Sequence, residues 1–195
     1  MRTRLLQVSA VLLVVLGAPP VAAAAPEPYI VDPVGDHRGT GDYDIVSVDL
    51  AATSARGALV DLVITFTLAT EPPTTGVSSY VFGASAKGCG TFYLYTYTSA
   101  LAAGARRSVL KIYDCLGDAA GETTAYPSLA VRGRSLVHRI PFAKMPPEIR
   151  RTVLRGMYAF TAPAEPVLGF TAADVEPSAT AFDYATSDKS FRPSG

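Results

Sequence analysis

The sequence predicts an all-β protein: two antiparallel sheets packed as a β-sandwich, jelly-roll-like, with one short helix. Roughly eight or nine short apolar–polar alternating runs, separated by turn residues, are the spacing of a sandwich. Gly 16, Pro 15, no tryptophan and only 17% charged residues describe a turn-rich chain. The third observation is the stretch from Cys89 to Cys115, which folds onto itself in one register. Pairing the two cysteines sets Leu94 opposite Leu110 and Phe92 opposite Ile112 on one face. The other face then carries Tyr93 opposite Lys111, Tyr95 opposite Val109, Tyr97 opposite Arg107 and Thr91 opposite Tyr113. Strand side chains alternate, so a single register that sorts both faces specifies a half-buried hairpin.

Taken in order, the chain opens on an address. Arg2 and Arg4 precede the apolar run Leu5–Leu16, Gly17, Pro19 and Pro20 break it, and Ala22-Ala23-Ala24 supplies a small-residue cleavage pattern. The apolar run is well short of the ~20 residues a spanning helix needs, so residues 1–24 are expected to be a cleaved signal peptide and the mature protein secreted, without a membrane anchor. Residues 25–195 suit one domain. Removing Arg2 and Arg4 from 17 basic residues leaves 15 against 17 acidic. A net charge near −2 gives no footprint for nucleic acid. Two cysteines in an exported chain favour a Cys89–Cys115 disulfide over a metal or redox pair.

Tyr29–Val31 is a short strand leading into the Asp- and Gly-dense loop Asp32–Asp44. Ile45–Ala52 alternates, with Val46, Val48 and Leu50 on one face; after the turn Ser54–Gly57, Leu59–Leu68 puts Val60, Leu62, Ile64, Phe66 and Leu68 inward. Val77–Phe82 is a strand broken by Gly83, and the cysteine hairpin follows. Gly117–Thr124 is expected as loop, and Ser128–Val131 and Ser135–Ile140 as strands about an Arg-Gly-Arg turn. Pro147 to Gly156 carries the signals of a helix, with Pro in the first turn and Gly at the end. Met157–Thr161 is the last clear strand; residues 163–180 are loop-rich, and 187–195 are a polar tail expected to be disordered.

Catalytic motifs are missing: no GxSxG, HExxH, GxGxxG or phosphate-cradling loop occurs. Of the two histidines, His37 sits in the acidic loop, and His138 shares a strand face with Leu136 and Ile140, the placement of a packed histidine. The expectation is a protein without catalysis. The acidic loop offers the best site. Asp32, Asp36, Asp42 and Asp44 are hard oxygen donors, and Gly35, Gly39 and Gly41 let carbonyls join them, as calcium requires. The spacing is not that of an EF-hand, and the same composition also makes ordinary Asx turns. Tyr93, Tyr95, Tyr97 and Tyr113, with Lys111, form the second candidate, a ligand-binding platform if that face is wet and a covered row if it is not.

DPVGDHRGTGDYDIVSVDL resembles the opening of secreted β-sandwich modules of the glucodextranase C-terminal type, grouped with family 9 carbohydrate-binding modules and DOMON-like domains. VRGRSLVHRIPFAKM is similar to the same group's strand–turn–strand before a short helical segment, and Phe182–Asp188 to its closing Asp-rich turn. The resemblance implies an extracellular module for carbohydrate or cell-envelope glycan. The chain departs from the pattern in lacking tryptophan. A secreted domain that contacts a surface protein, or serves structure alone, is the alternative, and a hydrolase with unrecognised carboxylates is the third.

Overall fold

The computed structural model describes residues 28–37, 43–73, 79–86, 91–98, 106–113, 123–125, 127–145, 150, 152–162 and 183–193; for 86, 91–98, 106–107, 111–113, 123–125 and 162 the description is of the backbone. Eleven strands form two antiparallel sheets. They are β1 (Ile30–Val31), β2 (Ile45–Ala55), β3 (Ala58–Leu68), β4 (Ser79–Ala86), β5 (Thr91–Thr98), β6 (Arg106–Tyr113), β7 (Thr123–Ala125), β8 (Ser128–Arg132), β9 (Ser135–Pro141), β10 (Leu154–Ala162) and β11 (Asp183–Ser187). The five-stranded sheet runs β1-β2-β3-β9-β8 and the six-stranded sheet β11-β10-β4-β5-β6-β7. The chain crosses between sheets at β3–β4, β7–β8 and β9–β10. Because β9 runs antiparallel to β3 and β10 to β4, the β3–β4 and β9–β10 crossings lie at opposite ends of the strands.

The core is built by alternation from both sheets. Val48, Leu50, Leu62, Ile64, Phe66, Leu136 and Ile140 come from one, and Tyr80, Phe82, Ala84, Leu110, Met157 and Ala159 from the other. Arg56 and Gly57 turn β2 into β3 with φ of 52° and 77°. Positive φ at both central positions is the geometry whose twist matches the flanking strands, and Gly57 adopts it without a Cβ penalty.

Two β-bulges move residues away from their expected faces. Ile45 pairs with Leu68 and Ser47 with Thr67, so Val46 is the extra residue. Ile45 takes the core position and Val46 is only half-buried. Likewise Thr53 pairs with Asp61 and Ser54 with Leu59, leaving Val60 unpaired and 42% exposed rather than inward. An inserted residue shifts strand parity, which an alternation pattern by itself does not register.

Other expectations are corrected at the ends. Gly83 lies inside β4 and does not break it. Thr123 and Thr124, expected within a loop, belong with Ala125 to a strand that pairs with β6. A 3-10 turn, Phe142–Lys144, leaves β9, and by Leu154 the chain is already strand. Gly156 therefore sits within β10, where the register shifts between Arg155 and Tyr158, and closes no helix; residues 146–149 and 151 lie outside the described residues. The tail is anchored: β11 runs through Ser187, and Phe191 is buried, bridges to Leu154 and meets Tyr29 edge-on.

Candidate functional site

The sandwich brings an edge of each sheet together at one seam. β1 ends the five-stranded sheet and β11 the six-stranded one. Asp32 follows β1 directly, Asp44 precedes β2, and Asp183 is the first residue of β11. The strands fix these positions through the backbone. Asp32 N–H donates to the Val46 carbonyl at 3.1 Å, and Ala69 N–H to the Asp44 carbonyl at 2.9 Å. Across the seam, Ile45 N–H donates to Asp183 Oδ2 at 2.6 Å, and the Thr161 hydroxyl to the Tyr43 carbonyl at 2.7 Å. Tyr184 N–H donates to Asp183 Oδ1 at 2.9 Å, so both oxygens of Asp183 hold backbone.

Carboxylate oxygens of Asp32, Asp36 and Asp183 lie within 4.8 Å of one another. Asp44 stands beside them, its Oδ2 accepting Gly35 N–H at 2.8 Å and lying 3.0 Å from His37 Nδ1. The histidine is close without being aligned as a hydrogen bond. Asp32 is 8% exposed and Asp44 1%, yet Asp32 Oδ2 and Asp44 Oδ1 have no hydrogen-bond partner. Burial, then the charges of Asp183, Asp36 and Asp44, push the Asp32 carboxyl up to about 7; burial also raises Asp183. The cluster thus concentrates acidic groups at a largely buried seam, and among the described residues no lysine or arginine is paired with Asp32, Asp36 or Asp183.

Of the acidic set expected from the sequence, Asp32, Asp36 and Asp44 come together here, while Asp42 lies outside the described residues. Asp183 joins them, a residue that the acidic set expected from the sequence did not include. Its only sequence signal was the position of Phe182–Asp188 as a closing acidic turn, and its distance along the chain hides it from any local spacing rule.

The hairpin register agrees pair for pair with the sequence expectation, from Thr91↔Tyr113 to Tyr97↔Arg107. Phe92 and Leu94 pair with Ala84 and Phe82 of the core-facing row, and Leu110 is in the core. Positions 93, 95 and 97 fall on the opposite face, level with Gly83, Val81 and Ser79. The side chains of Tyr93, Tyr95, Tyr97, Tyr113 and Lys111 lie outside the described residues, as do Cys89 and Cys115. Val81 and Val109, which pair with position 95 on that face, are both buried. The β10–β11 end of the face is open: Tyr184 is 37% exposed, and Arg155, Ser85 and Thr186 are exposed. Tyr158 stacks on Phe160 at 6.4 Å and on Tyr184 at 6.2 Å between ring centroids, with planes 8° and 28° apart. The Tyr158 ring occupies the space a Cβ at Gly83 would need. This three-ring ladder is an aromatic feature the alternation of β5 and β6 did not point to, because it comes from strands remote in sequence.

No known protein family, curated protein or solved structure matches this chain. No helix of the described residues is long and apolar enough to cross a membrane.

Proposed function

We propose that the protein is a secreted, non-catalytic β-sandwich module that binds an extracellular or cell-envelope glycan. The observation that carries this reading is the ladder of Tyr158, Phe160 and Tyr184 on the outer face of the six-stranded sheet. Near-parallel rings offer flat apolar surface to the C–H faces of a sugar, and two phenolic hydroxyls can hydrogen-bond its rim. The strand positions of this face also carry Arg155, Lys111 and Arg107 and no acidic residue, which favours an acidic sugar polymer. The secreted setting is supported by the leader pattern of residues 1–24.

A glycan array spanning neutral and acidic polymers, probed with the mature protein and with Tyr184→Ala, tests the reading. Tyr184 is partly exposed at a strand edge, so its truncation is expected to leave the fold intact and weaken binding tenfold or more. Silence across the array would reject the glycan. A partner recovered instead from surface proteins, and lost with Tyr184→Ala, would establish the alternative of a protein-interaction domain.

A further inference from the structure

Beyond the glycan reading, and independent of it, we infer that Asp32, Asp36 and Asp183 are the ligands of one calcium ion that clasps the two sheets at their common seam. Three carboxylates, two from the loop after β1 and one from the start of β11, converge within 4.8 Å. Proximity alone would be an ordinary acidic cluster. The second observation is that Asp32 is more than nine-tenths buried while its Oδ2 has no hydrogen-bond partner. A buried, unpaired carboxylate oxygen is costly unless a cation completes it. Asp44, buried with Oδ1 likewise unpartnered, adds a fourth negative charge beside the three ligands.

The donors select the ion. All three ligands are hard carboxylate oxygens, with no thiolate or imidazole among them, which suits calcium and not zinc. Calcium accepts six to eight oxygens in irregular arrangements, so carbonyls and water complete its shell, whereas magnesium demands a near-ideal octahedron. Asp183 already holds Ile45 N–H of the other sheet, and Asp32 is tied to β2. An ion held by both therefore locks β1 and β2 to β11, closing the edge that the backbone leaves joined by few hydrogen bonds.

The experiment uses the mature protein, stripped with chelator and titrated with calcium alone, by calorimetry and by thermal melting. One site per chain is expected, with a melting temperature raised by about 5 °C or more at millimolar calcium and a weaker response to magnesium. Asp36→Asn is the decisive variant, because Asp36 is exposed and its loss leaves the seam's hydrogen bonds in place. It is expected to keep the metal-free melt and lose at least tenfold in calcium affinity, and Asp183→Asn to lose more. Asp188→Asn, exposed just past β11, is expected to bind as the native chain does. An unchanged melt and no heat at millimolar calcium would overturn the site, as would native affinity in Asp36→Asn. Because none of these readouts involves a glycan, failure here leaves the sugar reading standing, and the reverse holds.

Discussion

At the scale of single residues, the tightest constraint is the contact between Gly83 and Tyr158. A methyl group at position 83 falls within the Tyr158 ring, so the ring must leave its place in the ladder. Position 83 is mid-strand and its backbone suits any residue, so the requirement is for space and not for conformation. Gly83→Ala is expected to destabilise by about 1–3 kcal/mol, as overpacking does. Denaturant unfolding measures it, and combining the change with Tyr158→Ala should recover much of the loss, since the ring is then gone. Equal and additive costs in the two single variants would mean that the residues do not meet.

At the scale of elements, the β5–β6 ladder closes on the cysteines. It is paired as far as Thr91↔Tyr113, two residues inside Cys89 and Cys115 on each arm. Continuing the same register sets the two cysteines opposite each other. A disulfide there should stabilise by roughly 3–4 kcal/mol through restriction of the unfolded chain, less where the denatured hairpin keeps structure. Intact mass of the protein under non-reducing conditions is expected to be about 2 Da, two hydrogen atoms, below that of the reduced chain. Two thiols that alkylate freely would exclude the bond. The bulges in β2 and β3 show the opposite behaviour: there the ladder skips a residue, and Val46 and Val60 lose their core positions.

At the scale of the whole molecule, the sheets are joined by polar as well as apolar contact. His138 of β9 is fully buried, stands edge-on to Phe66, and is hydrogen-bonded to Ser108 of β6 in the other sheet at 2.8 Å. Burial pulls its pKa down from 6.5 to about 3. The unfolded chain therefore takes up a proton at this residue over a range in which the folded chain does not. By linkage, its contribution to stability is complete above about pH 6.5 and is lost as the pH falls toward 3. An NMR titration is expected to show the His138 ring unchanged from pH 8 to 5. A midpoint above pH 5 in the folded protein would mean that water reaches the ring and that the link between sheets is open.

Much of this architecture is determined by local pattern. Period-two alternation in Leu62–Leu68 and Phe92–Leu94, the turn at Arg56-Gly57 and the hairpin register all follow from which side chains need burial and which turn residues tolerate positive φ. The packed role of His138 follows in the same way, from its place between Leu136 and Ile140. What only the tertiary structure decided is whatever depends on residues far apart in the chain. Alternation cannot locate a bulge, so Val60 was assigned inward. A polar tail gives no sign that Phe191 will find Leu154 across the fold. The acidic loop displays its own aspartates, but Asp183 joins them only because β1 and β11 end two sheets at one seam. A cation site is defined by distance between oxygens in space, and no spacing within one loop encodes a ligand delivered by the other sheet.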